Sequence, residues 1–570
     1  MIVDLERDEA LPQFVADVCI VGAGAAGIVL AAELVRQNCN VLLLESGGQT
    51  VESEAQALNA CEYTGQPHRE AHIGRFRALG GTTTAWGGQI LELDAKDFAP
   101  RPWVPRSGWP VAKEELQPYY ERALCAEGLA QVIRKDQEVW REMKVAVPEL
   151  GDALETYFTR WCPEPNFARL YRETLASPQL CVVMHATATA TLMNENGERI
   201  AGIRCRTLGG RERTFSAPQY VLCLGAIETV RFLLQPMRDG QTPSWNCSGL
   251  LGRYFQSHID YNAARIPAKD AARLRQSFAN TYLRGYKYHP KFRLAFSVQR
   301  EQQLLNIAGS VTCIAPDERE LRRAKALARN IVQGRGLRLW TDLPPAFRQL
   351  SNLLRMGYGY RVERRAHWPK NSAFWLRIHC EQEPRSESRI TLTEERDVSG
   401  LFYARLDWRV SPLEWKTIRC FTEVVRQTFA AHDMANVEML AGLAQEDGFR
   451  DLVFDNSHHH MGGTRMAESP TQGVVDPDLR LHGVENAYVC SASVFPCSGF
   501  SNPTHTLIAL AIRLADHLIA LNKNDLPSRP NPERSEGEVE GPAVSNRAPH
   551  PSFAAANEGL DQKRKARAHA

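Results

Sequence analysis

The hydrophobic positions of this chain follow three different rhythms. Near the start, Asp17-Val-Cys-Ile-Val21 is a short apolar run of strand type. An Ala-, Leu- and Val-rich stretch follows to about Gln37, and then a second apolar run, Val41-Leu-Leu-Leu44. Short uninterrupted runs of this kind, separated by a helical stretch, predict strands covered on both faces. Tyr220-Val-Leu-Cys-Leu224 has the same character and runs into a Gly-Ala turn. Further along, Ser388-Arg-Ile-Thr-Leu392 and Phe402-Tyr-Ala-Arg-Leu-Asp-Trp408 alternate apolar and polar residues, as strands of a half-exposed sheet do. From Pro503 to Leu521 apolar residues recur at helical spacing, with Pro in the first turn. That predicts a buried helix closing the folded body.

The pattern breaks twice. Pro316 to Lys370 holds thirteen Lys and Arg against five acids, in part as amphipathic helix patterns such as ERELRRAKALARNIV. It reads as a solvated helical insertion at about 316–370, or as a basic surface facing a membrane, an acidic partner or a phosphorylated substrate. From about Asn524 the chain is rich in Pro, Glu, Ser, Gly and Arg with almost no large apolar residues. Such a segment cannot offset its ordering entropy by burial, so 524–570 is expected to be a disordered tail.

Size and charge narrow the classes. A chain of 570 residues exceeds what one core usually organises, so two domains are expected. A formal net charge of +2 argues against nucleic acid as a partner. The fourteen cysteines include no CxxC pair, which argues against zinc ribbons, iron–sulfur clusters and redox dithiols. Cys19 and Cys223 lie in apolar runs and read as buried reduced thiols, hence a cytoplasmic setting. Residues 1–16 lack the layout of a secretion signal, and no apolar run approaches the roughly 20 residues of a bilayer span.

The first strand leads directly into Gly22-Ala-Gly24-Ala-Ala-Gly27, then the helix, then the second strand, which ends at Glu45. Gly22 permits the tight turn, Gly24 lets backbone approach a pyrophosphate, and Gly27 lets helix and strand pack closely. The helix N-terminus offers N–H groups to phosphate, and Glu45 is placed for ribose hydroxyls. These parts in order predict dinucleotide binding, with FAD and NAD both open at this point.

Four further stretches carry more. Arg77-Ala-Leu-Gly80-Gly81-Thr82-Thr-Thr-Ala85-Trp86-Gly87-Gly88 is a glycine-rich loop. Tyr220 to Thr229 contains Gly225-Ala226. Near the end stand His458-His-His460-Met-Gly-Gly-Thr-Arg-Met466 and Phe495-Pro-Cys-Ser-Gly-Phe-Ser-Asn502-Pro503-Thr504. Together these resemble the glucose–methanol–choline (GMC) family of FAD-dependent oxidoreductases, in its pyranose-oxidase-like bacterial branch, up to about Asn522. The resemblance implies an α+β protein: a Rossmann-like α/β FAD-binding domain (1–260 and 454–523) and an antiparallel-sheet substrate domain (261–453).

It also implies a function. An alcohol group of a sugar, glycoside or polyol would be oxidised by proton abstraction and hydride transfer to flavin N5. Carried over by motif, His460 in H-x-G-G-T is the proton acceptor. Asn502, 502 − 460 = 42 residues later, holds the substrate oxygen, although a helix N-cap would also suit it. Gly81, Thr82, Trp86, Gly87, Gly225, Ala226, Pro503 and Thr504 become flavin contacts beside Gly22, Gly24, Gly27 and Glu45. Some family members attach FAD through a His just before the Trp; this chain has Ala85 there, so FAD is expected to be non-covalent. No metal is expected, because consecutive histidines point in different directions and lack a carboxylate at ligand spacing. His458, His459 and His258 then read as structural, and Gln382, Glu383 and Arg385 as a solvated strand end. Two alternatives share the scaffold: a cyanohydrin-type lyase with a spectator flavin, and a non-catalytic flavoprotein. The electron acceptor (oxygen, quinone or redox protein) is left open by the motifs.

Overall fold

The apolar runs at 18–21 and 41–44 form the centre of a six-stranded sheet in which every neighbouring pair is parallel. In order across the sheet its strands are Ile2–Asp4, Leu180–Met184, Val41–Leu44, Val18–Val21, Gln219–Leu222 and Ala487–Val489. Five of the six are buried at every position, as expected for a parallel sheet covered on both faces. The helix Ala25–Arg36 follows the first glycine turn and buries nine residues. A computed structural model describes residues 1–8, 13–68, 70–237, 242–332, 349–444 and 455–525, and residues 1–521 form one unit.

A second sheet of nine strands supplies the other half of the core. Its main path runs Glu438–Met439, Gln256–Ile266, Ala373–Cys380, Ile307–Ile314, Tyr286–Leu294, Leu154–Trp161 and Gln89–Ile90. Thr281–Leu283 pairs with Tyr286–Leu294, and Asp455–Met461 with Gln256–Ile266. All its pairings are antiparallel. In Tyr286–Leu294 and Ala373–Cys380 burial alternates residue by residue, so one face packs on the core and the other lines a cavity. Two strands before residue 260, Gln89–Ile90 and Leu154–Trp161, belong to this sheet. The segments 388–392 and 402–408, expected in the substrate sheet, lie instead in a separate three-stranded sheet with Cys61–Tyr63.

The helix Pro503–Asp525 closes the fold as expected. Residues 503–522 are long and apolar enough to cross a bilayer, which the sequence reading had denied for any segment. Ile508, Leu510, Ile512, Leu514 and Leu518 are at most 1% exposed in the core, so in this structure it is a core helix. The basic insertion begins with the helix Glu318–Val332 and resumes with Leu350–Tyr358; 333–348 and the tail from 526 lie outside the described residues.

Candidate functional site

The nucleotide fingerprint folds as its glycines require. Gly22 has φ +108°, and a Cβ there would stand 2.5 Å from the Cys223 carbonyl oxygen. A Cβ on Gly27 would meet the Gly22 oxygen at 2.0 Å, so Gly27 sets helix–strand packing rather than touching the cleft. Gly24, at the N-cap of Ala25–Arg36, meets nothing within 4 Å. The cap makes no side-chain bond, which leaves first-turn N–H groups for an anion. Glu45 accepts from Ala23 N at 3.0 Å and Gly47 N at 2.9 Å. Burial pushes its carboxyl above the usual range.

These residues line a long cleft of about 230 Å³ together with Gly81, Thr82, Trp86, Gly225, Ala226, Pro503 and Thr504. Every expected cofactor residue is therefore on it except Gly27 and Gly87. Gly87 lines an adjoining cavity. Trp86 is pinned as wall by its Nε1–H donating to the Pro165 carbonyl at 2.6 Å. Charged groups in and behind the wall form one cluster. Glu228 sits between Arg75 (3.3 Å), Arg77 (2.9 Å) and Arg231 (3.0 Å). Burial would raise its carboxyl, but the three guanidiniums outweigh that and hold it at about 2. An uncapped helix N-terminus, an open glycine and a buried acid fit the pyrophosphate and ribose of a dinucleotide.

The adjoining cavity, about 640 Å³, shares Gly74, Phe76, Thr82, Trp86, His458 and Thr504 with the cleft. At this junction the structure corrects the sequence. His459, not His460, stands beside Asn502: Asn502 Nδ2 lies 3.0 Å from His459 Nε2. The cause is a bulge. His458 has φ +59° inside the strand Asp455–Met461. The pairing with Gln256–Ile266 slips by two residues between Ser257↔His460 and Ile259↔Asn456. A bulge re-aims the side chains after it. His459 thus faces the cavity, while His460 packs against His68 (centroids 5.1 Å) and Phe255 (6.2 Å) on the cleft side. The Nε2 of His460 and both ring nitrogens of His68 are buried with no hydrogen-bond partner among the described residues.

Behind His459 lies a network the sequence reading missed. His459 Nδ1 is 2.9 Å from His258 Nδ1, which is also 2.9 Å from His379 Nε2. His258 Nε2 faces the Ser498 carbonyl at 3.4 Å, and His379 Nδ1 faces Asp260 Oδ1 at 2.6 Å. The partners assign the tautomers. A carbonyl requires a proton on His258 Nε2, so its Nδ1 accepts. The Asn502 amide donates to His459 Nε2, so His459 carries its proton on Nδ1 and donates it to His258. Gln89 Nε2 donates to Asn502 Oδ1 at 3.2 Å and thereby fixes the amide's orientation. Burial, then the neighbouring imidazoles of His258 and His379, push His459 well below the ordinary histidine value. Burial alone would raise Asp260, yet His379 and Arg377 hold it well below the carboxylate range.

The imidazoles of His258, His379 and His459 converge within 4.8 Å, with Asp260 behind them. No carboxylate stands at ligand spacing in the sequence, but three strands distant in sequence bring Asp260 behind the histidines. His458 is exposed, whereas His258 is buried and hydrogen-bonded as expected. Gln382 is not a solvated strand end: it is buried, its Oε1 accepting from Ser257 N at 2.7 Å and Trp408 Nε1 at 2.9 Å.

Comparison with known proteins gives the family. A family model described as "FAD dependent oxidoreductase" matches residues 17–330, and one described as "GMC oxidoreductase" matches 384–511. The chain is 25% identical to 6'''-hydroxyparomomycin C oxidase of Streptomyces lividus over 88% of this chain and 92% of that one. It is 23% identical to paromamine 6'-oxidase of Streptomyces fradiae over 88% and 90%. Among solved structures, pyridoxine 4-oxidase from Mesorbium loti superposes with a TM-score of 0.52 at 17% identity, covering 88% of this chain and 99% of that one. With a dinucleotide cleft matched from residue 17 and the C-terminal model ending inside the last helix, the chain belongs to the GMC family of FAD-dependent oxidoreductases, enzymes acting on CH–OH donors.

Proposed function

We propose that this chain oxidises a carbinol group of a sugar, glycoside or polyol, with His459 as proton acceptor and Asn502 as anchor of the hydroxyl oxygen. The observation that carries this reading is the 3.0 Å His459–Asn502 pair where cofactor cleft and cavity meet. The relatives named as oxidases of paromamine and 6'''-hydroxyparomomycin C support a sugar-like donor. FAD, when bound, supplies the acceptor for the hydride leaving the carbinol carbon.

The chain's own groups handle the proton. A hydroxyl entering between the pair accepts from Asn502 Nδ2–H and donates to the His459 Nε2 lone pair, which burial keeps unprotonated near neutral pH. The resulting imidazolium keeps its Nδ1–H on His258, and the Asp260 carboxylate behind His379 offsets its charge. We read the imidazole trio as this proton network rather than a metal site. The His459 and His258 nitrogens, 2.9 Å apart, are at hydrogen-bond distance, whereas tetrahedral zinc would hold its ligands about 3.3 Å apart.

The same reading has FAD held non-covalently, since Ala85 offers no nucleophile, and takes 1–260 with 454–523 as the FAD-binding part and 261–453 as the substrate part. It also sets the protein in the cytoplasm, supported by fourteen free cysteines; fractionation of native cells tests that setting. The function is tested by anaerobic mixing of the flavoprotein with sugars, glycosides and polyols, followed by reoxidation with oxygen or an artificial quinone. Bleaching of the flavin by an alcohol is expected. A flavin that no alcohol bleaches while a cyanohydrin is split would overturn the proposal.

A further inference from the structure

One wall of the cavity carries charge that the proposed chemistry does not use. Along the strand Tyr286–Leu294, Lys287, His289 and Lys291 fall at every second position and all line the cavity. Lys291 stands opposite Tyr157 on one neighbouring strand. Two strands away on the other side, about 10 Å by strand spacing, Arg377 also lines it. Among the described residues lining the cavity, Lys287, Lys291 and Arg377 therefore stand against one carboxylate, Asp260. That carboxylate is already engaged, by His379 at 2.6 Å and by Arg377 Nη2 at 3.2 Å.

The two ammoniums are the unusual part. Among the described residues neither Lys287 nor Lys291 has a hydrogen-bond or ion-pair partner, and Lys287 Nζ instead lies 3.2 Å from the centre of the Trp161 ring. Burial, and then the charges of Lys291 and Lys325, bring Lys287 down to about 8. Burial likewise brings Lys291 to about 8, with Asp260 opposing and Arg377 adding to the shift. Lys325 belongs to the helix Glu318–Val332 of the basic insertion, so the charge of that helix reaches Lys287. Partly buried ammoniums without counter-ions cost stability that an arriving anion recovers. Neutral groups that suit neutral hydroxyls, such as Gln89, Asn502, Ser310 and Thr312, also line the cavity. Two lysines are not needed for them.

We propose that Lys287 and Lys291, with Arg377, form a subsite for an anionic group of the substrate, so that the donor is an acidic sugar or polyol carrying a carboxylate or a phosphate. This rests on the proposed alcohol oxidation, because the same cavity reaches His459 and Asn502. Charge-assisted hydrogen bonds to a buried ammonium are worth a tenfold to hundredfold preference.

The experiment has a binding arm and a turnover arm. Wild-type flavoprotein is titrated by calorimetry with D-glucuronate, D-glucose 6-phosphate, D-glucose and D-glucosamine. One of the two anions is expected to bind at least tenfold more tightly than glucose, and which one it is separates carboxylate from phosphate. Equal or weaker binding of both anions overturns the subsite. In turnover, the ratio of kcat/KM for the preferred acid to that for its neutral parent is expected to fall at least tenfold in Lys291→Met and in Lys287→Met. An unchanged ratio in both variants overturns it as well. Inorganic phosphate competing with the acid in wild-type protein gives a readout that needs no variant; absence of competition with either phosphate or acetate counts against the subsite. If no alcohol reduces the flavin, the proposed oxidation fails, yet the calorimetric comparison still decides the anion subsite.

Discussion

Exchanging His459 and His460 separately for alanine tests the central geometric finding. In His459→Ala the hydroxyl loses its proton acceptor. General-base removal costs 10²- to 10⁴-fold in rate, or about 2.7–5.5 kcal/mol of barrier at 1.36 kcal/mol per decade. The change also breaks the bonds to Asn502 and His258, which costs about 1–3 kcal/mol of stability, so flavin content and melting temperature are measured alongside. In His460→Ala an imidazole packed on His68 and Phe255 is lost, but its Nε2 makes no hydrogen bond among the described residues. That change costs packing, about 1–3 kcal/mol, and lowers cofactor retention rather than proton transfer. The assay is anaerobic stopped-flow reduction of the flavin by a substrate alcohol, normalised to bound flavin. His459→Ala is expected to bleach at least a hundredfold more slowly, with partial rescue by added imidazole. His460→Ala is expected to bleach within tenfold of wild type. The opposite ranking would refute the assignment and return the base to His460.

Three further outcomes follow from the same structure. Acid precipitation is expected to release the yellow colour into the supernatant, because residue 85 is alanine; colour kept in the pellet would show a covalent link elsewhere. Stability is expected to fall between pH 7 and 5: the unfolded chain protonates near pH 6.5, while His68 (about 4), His258, His289, His459 and His460 stay neutral in the fold. Asp97 (about 6), Glu414 (about 7), Glu45, His185 and His505 are raised in the fold and act oppositely, but with His367 and His458 the histidines held down are seven against these five, so a melting temperature flat from pH 7 to 5 would refute this balance. Dialysis against a chelator is expected to leave flavin reduction unchanged and to reveal no stoichiometric metal, whereas loss of activity restored by zinc would make His258, His379 and His459 ligands.

The cofactor half of the site was legible because its determinants are local. Gly22 and Gly24 act within one turn, and ten of the twelve residues named for it lie on the cleft. The exceptions, Gly27 and Gly87, sit within a residue or two of it. The cationic wall also left a trace, since YKYHPKFRL alternates with Lys, His and Lys on one face. The proton network left none. His258, Asp260, His379 and His459 come from three strands, and no spacing in the chain announces their meeting.

The sequence alone determined that a strand–turn–helix–strand unit would bind a dinucleotide, that a C-terminal helix would seal the core, and that Asn502 would stand at that helix's start. Each depends on contacts within a few residues, where steric limits and hydrophobic period decide. Tertiary structure alone decided which of three consecutive histidines pairs with Asn502, because a left-handed residue at His458 shifts the strand against its neighbour. It also decided that Lys287, Lys291 and Arg377 would share a cavity with that histidine. Side-chain direction in a sheet depends on register, and register is set by the partner strand.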